Sequence, residues 1–461
     1  MDRLERLRRQ DEFIDHVRTG HLSRRQIMKI GAALGMSAPM LSGLARFGAT
    51  SASAQGAPIS MVGWGYSPEI VEDNVNKFKA AYGEEVEYNL TTGGNYHQIV
   101  ETKFLGGETP SIVYSESEYL YRWWRAGFVQ DIEGLAGPES VDFYKAEILP
   151  FAVSSLALPD GKMAGMPYYS GYNTFVYNKA HLEQAEMQPP TTWEEVIAYS
   201  KELQAKGISE HPFLSAQNHE WASLSWSIFA MWYSEGESVF DEQLNPTFAD
   251  GGVAFKKVIE MHKQMFDEGI SPPDIMTQEL ESTPAWMTGN HTFMVVHDYD
   301  QQAFNMGENS NTKGMVGNSL MPGSTRDTFG WTACYLMGAK EVDRDRTWNL
   351  MQWLGGKAKD GEYHGNKRWA LEKGLGNPHT ELLADPELVA SWGQWRDMEV
   401  HNEQLQKSKG RAVEKTMWFP EWNWQMMTEV QEYIGGKKTI DEVITNLVKL
   451  VADLKELYPE T

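Results

Sequence analysis

Glu116 and Glu118 are the residues whose type and spacing first suggest chemistry. Two carboxylates could act as the acid and base of glycoside hydrolysis. They sit two residues apart where a predicted strand, Ile112-Val113-Tyr114, gives way to a predicted helix, so their side chains point in different directions. A helix N-terminal acid, or an acceptor for ligand hydroxyls, fits that placement better. His297-Asp298-Tyr299 closes a second apolar run, Phe293–Val296. A His beside an Asp needs a nucleophile as third partner for acyl chemistry, and none stands at a recognisable elbow. A metal site needs three or four clustered ligands, and the remaining histidines are scattered. The single cysteine, Cys334, excludes an intrachain disulfide framework and any Cys-rich metal site. No cofactor motif is found.

What recurs instead is aromatic rings beside polar side chains, in Trp64–Tyr66, in Gly93–His97 with Asn95 and Tyr96, and in Ser115–Tyr119. The same mixture fills Gln217–Trp221, with Asn218, His219 and Trp221, and His297–Tyr299. Tyr169, Tyr172 and Trp331 add rings from stretches of strand character. A sugar offers an apolar C–H face for stacking and a rim of hydroxyls for Asp, Asn, Gln, Glu and His. None of the five loops contains Arg or Lys, which disfavours an anion. A neutral mono- or oligosaccharide or a polyol is favoured, and a cation held in an aromatic cage is the alternative.

The elements that must carry these loops follow from periodicity. Ile59–Val62 is a strand; Ser67-Pro68 opens a helix with Val71, Val75, Phe78 and Tyr82 on one face. Val86–Leu90 is a second strand, a helix runs through Phe104, and Ile112–Tyr114 is a third strand. The βαβαβ order implies a parallel sheet flanked by helices, which binds ligands beyond the carboxyl ends of its strands. Further on, Asp160-Gly161 is a turn, Met163–Pro167 a short strand stopping at proline, and Asn173–Tyr177 a second strand. Thr192 with Glu195, and Thr439 with Glu442, are capping boxes; Trp193 belongs to a buried stripe. Trp418, Trp422 and Trp424 either line a site or cap a lobe.

The chain of 461 residues is long enough for two cores, with 41% hydrophobic residues, 17 Trp and a net charge of −23. That charge argues against nucleic acid as a partner. Ser23-Arg24-Arg25-Gln26-Ile27-Met28-Lys29 has the form of a twin-arginine export signal. The apolar run Ile30–Leu44 is too short and too rich in Gly, Ser and Pro to span a membrane. Ala52-Ser53-Ala54 is a small-x-small cleavage site, predicting a soluble periplasmic chain cut near Ala54. The first 54 residues hold 9 basic and 5 acidic groups, so the remainder carries about −27.

Several segments, taken in order, resemble the extracellular solute-binding proteins of ABC importers, in their maltose-binding-protein-like, carbohydrate-uptake group. Leu105-Gly106-Gly107-Glu108-Thr109-Pro110-Ser111-Ile112-Val113 is similar to the S-G-x-x-P-D-V-V segment, with Ser111 at the usual Asp. Ala126–Ile132 resembles A-G-L-L-x-P-L, and Asp160–Lys179 resembles D-G-K-x-Y-G-x-P…Y-N-K. Pro189-Pro190-Thr191-Thr192-Trp193-Glu194-Glu195 is similar to P-x-T-W-x-E. The resemblance spans roughly residues 58–455. It implies an α/β fold of the periplasmic-binding-protein type, with two lobes of mostly parallel sheet, joined by hinge segments around a cleft. The lobes are expected at 58–167 with about 300–355, and at 168–299 with about 356–461. It also implies a non-catalytic monomer that hands a carbohydrate to permease subunits in the inner membrane. A secreted carbohydrate-active enzyme using Glu116 or Glu118 is the competing expectation.

Overall fold

A computed structural model describes residues 56–91, 96–135, 140–217, 222–249, 252–274 and 282–459, together with Lys29. The expected export signal and its cleavage site, and Asn95, Asn218, His219 and Trp221, lie outside these residues. The chain opens with β1 (Ile59–Trp64), α1 (Pro68–Tyr82), β2 (Val86–Thr91), α2 (Tyr96–Leu105), β3 (Ile112–Glu116) and α3 (Ser117–Arg125). Strand β1 pairs in parallel with both β2 and β3, the predicted βαβαβ arrangement. Helix α1 buries Ile70, Val71, Val75 and Phe78 and ends at Gly83 in the left-handed conformation. Ser67 stands at its N-cap position, but with φ 43° and no side-chain capping bond.

The chain continues through β4 (Val129–Gln130), α4 (Val141–Glu147), α5 (Pro150–Leu156) and β5 (Gly165–Asn178). Then come α6 (Lys179–Ala185), α7 (Trp193–Ala205), β6 (Phe213–Leu214), α8 (Ser223–Ser234), α9 (Ala254–Asp267) and α10 (Ser282–Met287). After these lie β7 (Phe293–His297), α11 (Asp300–Met306), β8 (Val316–Ser319), β9 (Thr328–Gly338) and α12 (Arg344–Gly355). The remainder is helical apart from β10 (Ser408–Lys409): α13 (His364–Lys373), α14 (Thr380–Leu383), α15 (Pro386–Trp392), α16 (Met398–Gln406), a 3₁₀ turn (Ala412–Lys415), α17 (Phe419–Ile434) and α18 (Ile440–Leu457). Both predicted capping boxes are present, on α7 and α18.

Among the described residues the strands form one mixed sheet ordered β2-β1-β3-β9-β5-β7-β6, with β4 and β10 on β9 and β8 on β5. It is parallel towards both outer ends and antiparallel where β9 and β5 run through the middle. Strand β9 pairs with β3 through Ala333–Met337 and with β5 through Gly330–Leu336; β5 then pairs with β7 through Asn173–Tyr177. These two strands therefore belong to both halves of the molecule.

The expected break at Pro167 does not occur: β5 is one strand of 14 residues. The register shifts between Pro167 and Tyr169, where β5 is paired along β9 only, so the missing proline N–H is accommodated at a bulge. The 3₁₀ turn packs on α3, and α13, expected with the second lobe, meets α1 through the Arg368–Asp73 ion pair. Trp418 and Trp422 are fully buried against Phe240, so they fill a core. Trp193 is likewise buried, its indole donating to Ser234 Oγ at 3.0 Å.

Candidate functional site

Two ring clusters meet over the middle of the sheet. In β9, Trp331 pairs with Gly171 of β5, two positions along from the Tyr169–Ala333 pair. This puts the Trp331 and Tyr169 rings edge to face with centroids 4.7 Å apart. Trp226 of α8 lies parallel to Trp331 at 5.3 Å, and the His297 ring stands edge-on to Trp226 at 4.2 Å. Tyr299 stacks on His297 at 5.4 Å and meets Tyr169 at 5.8 Å. Strand β7 ends at His297, so that residue and Tyr299 project from its carboxyl end.

Polar atoms in this cluster are left open. The Trp331 indole N–H, the Tyr169 hydroxyl and His297 Nδ1 are buried without a hydrogen-bond partner among the described residues. Burial holds His297 down at about 3, so its imidazole is neutral. Orphaned groups of this kind cost free energy unless something binds them.

The second cluster rises from the carboxyl ends of β1 and β3. Trp64 stacks over Tyr114 at 6.2 Å, and Tyr114 meets Tyr168 at 5.8 Å. Tyr168 touches Trp369 of α13 at 6.3 Å, and Trp369 stacks on Tyr66 at 5.9 Å. Tyr168 and Tyr169, neighbours at the β5 bulge, join the clusters.

The carboxylates have distinct surroundings. Glu116 Oε1 accepts from the Tyr114 hydroxyl at 3.2 Å, while His97 Nε2 lies 3.6 Å from Oε2. His97 stacks flat on Tyr119 and is held at about 3 by burial, so it brings no positive charge. Burial, with Glu118 nearby, pushes Glu116 up to about 8. Glu118 accepts from Arg411 Nη2 at 3.0 Å, and Arg411 Nε donates to Glu414 at 2.6 Å. The guanidinium is enclosed by Phe229, Phe329 and Phe419. The two glutamates thus part company, as their spacing predicts, and Glu118 is committed to an ion pair.

Of the other expected site residues, Tyr96 joins the second cluster, edge-on to Trp64 at 5.4 Å and to Tyr114 at 5.5 Å, while Tyr172 and Asp298 stand apart. Tyr96 is buried and its hydroxyl donates to the Tyr114 carbonyl at 3.0 Å. Tyr172, grouped with Tyr169 in the sequence as a candidate ring, is instead buried with Phe151 and Leu405, its hydroxyl 2.8 Å from His401 Nδ1. The reason is the two-residue period of a strand, which sends positions three apart to opposite faces. Asp298 is fully buried, its Oδ2 accepting from Arg396 Nη1 at 3.0 Å. Arg396 lies over the Trp392 and Trp395 rings and also donates to the Asp298 carbonyl, so it anchors the loop carrying His297 and Tyr299.

Trp226, Tyr114, Tyr168, Trp369 and Asp300 escaped the sequence analysis. The polar flanks of Ser225-Trp226-Ser227 inside an apolar run were a signal for Trp226; Trp369, remote in sequence, gave none. Asp300 opens α11, its Oδ1 accepting from Thr283 at 3.0 Å, and burial pushes it up to about 7.

Two ring clusters over strands shared by two α/β halves fit a binding protein of the two-lobed class. The chain belongs to the bacterial extracellular solute-binding protein family, which matches residues 64–361. The multiple sugar-binding protein of Streptococcus mutans is 22% identical over 139 residues, 30% of this chain and 31% of that one. The probable sugar-binding periplasmic protein of Rhizobium meliloti is 26% identical over 112 residues, 24% of this chain and 26% of that one. The aligned stretches thus span less than a third of either relative. The fold is shared end to end with maltose-bound T. maritima MalE3, with TM-score 0.73 at 19% identity over 86% of this chain and 99% of that one. A solute-binding protein of Agrobacterium radiobacter in complex with ribitol gives TM-score 0.71 at 16% identity, over 87% and 99%.

Proposed function

We propose that this chain is the binding component of an ABC importer, capturing a mono- or oligosaccharide or a polyol between its lobes and delivering it to membrane permease subunits. The observation that carries this is the pair of ring clusters with open polar atoms: rings suit the C–H faces, while the Trp331 indole, Tyr169 hydroxyl and His297 Nδ1 suit hydroxyls. The sugar-binding relatives, and the neighbours holding maltose and ribitol, support the same ligand class. The protein works as a monomer and performs no chemistry, consistent with Glu118 being tied to Arg411. A thermal-shift screen of sugars and polyols, followed by calorimetry and product analysis, tests it. A ligand-dependent rise in melting temperature with no product is expected; turnover of the ligand would establish the enzyme instead.

Export by the twin-arginine route to the periplasm, with cleavage near Ala54, is part of the same proposal. It rests on Ser23-Arg24-Arg25, the apolar run and Ala52-Ser53-Ala54. Replacing Arg24 and Arg25 by Lys should hold the precursor in the cytoplasm, as followed by fractionation; normal periplasmic yield would refute this route.

A further inference from the structure

The charges around the cleft do not balance. Of the cations nearby, Arg396 is paired with Asp298 and also meets His401 and the Gly374 carbonyl. Arg411 is shared by Glu118 and Glu414, and Lys415, on the same turn as Glu414, is held below the usual lysine range by burial. Counted together, Glu118, Glu414, Arg411 and Lys415 are neutral. Two carboxyl groups remain without a charged ion-pair partner among the described residues. Glu116, at the carboxyl end of β3, has the Tyr114 hydroxyl and an uncharged His97. Asp300, at the start of α11, has the Thr283 hydroxyl as its one side-chain hydrogen-bond donor among the described residues. One comes from each side of the molecule.

Both carboxyls sit beside the ring clusters. Tyr114 joins Glu116 to the Tyr168–Trp369–Tyr66 stack. Asp300 follows Tyr299 directly, and Tyr299 connects to the same stack through Tyr169 and Tyr168. Tyr299 in turn touches Tyr169, whose hydroxyl is buried, as is the indole N–H of Trp331, without a partner. Those two groups are open to a ligand's polar atoms. Electron-rich ring faces flanked by uncompensated carboxylates suit an ammonium group, which gains from both cation–π attraction and charge-assisted hydrogen bonds.

We propose that the ligand of this cleft is a carbohydrate bearing a protonated amine, with Glu116 and Asp300 as its counter-charges beside the Tyr66, Tyr168 and Trp369 rings. This rests on the carbohydrate-binding proposal above and narrows it to an amino sugar or an aminated oligosaccharide. The raised positions of both carboxyls follow from the same arrangement: without a cation they are costly to ionise, and an ammonium supplies the missing charge. A neutral sugar would leave both without a counter-charge.

The test is calorimetry with matched pairs on one scaffold: glucosamine against glucose, galactosamine against galactose, and chitobiose freed of its acetyl groups against cellobiose. In at least one pair the aminated member should bind tenfold or more tightly. Glu116→Gln and Asp300→Asn keep the shape of each side chain and remove its charge. Each should shrink that preference and the double variant should abolish it, while residual binding of the neutral member reports that the cleft is intact. Equal or tighter binding of the neutral members overturns the amine proposal and leaves carbohydrate binding standing, as does a preference that survives in the double variant. Failure of every sugar and polyol to bind overturns both proposals.

Discussion

Trp331 and Trp226 form the centre of the first ring cluster because two unrelated elements bring them parallel. Strand β9 fixes Trp331 against Gly171, and α8 lays Trp226 along it. Stacked rings of this size contribute about 1–3 kcal/mol to ligand binding, so Trp331→Ala and Trp226→Ala should each weaken affinity about 10- to 100-fold in calorimetry. Tyr96 is the control. Its hydroxyl serves the Tyr114 carbonyl inside the first lobe, so Tyr96→Phe should cost about 1 kcal/mol of stability in denaturant unfolding and leave affinity unchanged. Affinity unaltered in both Trp variants would remove these rings from the site. The sequence made ring-bearing loops visible through their composition, and Trp64, Tyr66, Glu116, Tyr169, His297, Tyr299 and Trp331 all come to the two clusters or their edge. It could not show that Asp298 would be spent on Arg396, nor that Trp369 would reach Tyr66, because both depend on contacts made by segments distant in the chain.

Among the elements, β5 does most to assemble the site, and Gly171 shows how. A hinge glycine would be expected for its backbone freedom, yet Gly171 does not adopt the left-handed conformation. It is required for space: a Cβ there would lie 2.5 Å from Asp298 Oδ1 and 2.6 Å from the Tyr169 hydroxyl. Gly171→Ala should therefore displace both side chains, costing about 1–3 kcal/mol in thermal or denaturant unfolding, and weaken ligand binding through Tyr169. Wild-type stability and affinity in this variant would show that the neighbours yield freely. The capping boxes of α7 and α18 and the parallel βαβαβ start were readable because their signals are local. The continuity of β5 through Pro167 was not. A proline reads as a stop, and only the pairing partners reveal that the strand passes it at a bulge.

At the scale of the whole molecule, the two halves share a single sheet through β5 and β9, and the ring clusters lie where those strands pass from one half to the other. The overall architecture was legible because several motifs lie in family order along most of the chain. The return of α13 and the 3₁₀ turn to pack on α1 and α3 had no local signal, since it joins segments far apart in the chain. Two bodies joined by a pair of strands can rotate about them, with the change in backbone angles taken up at a few positions. The register shift between Pro167 and Tyr169 is the natural place for it, since local pairing is already irregular there. A ligand favours the closed arrangement only as far as it contacts that state better than the open one. The rings and carboxyls that would make the difference come from both sides: Tyr66 and Glu116 from the first, His297, Tyr299 and Asp300 from the second. Small-angle scattering should therefore give a smaller radius of gyration with saturating ligand than without. Trp226→Ala, measured at ligand concentrations that restore saturation, should compact less, because it removes contact area from one side only. Superimposable bound and free profiles for the wild type, with occupancy checked by calorimetry, would show that the lobes do not move and that the site captures its ligand as a rigid cleft.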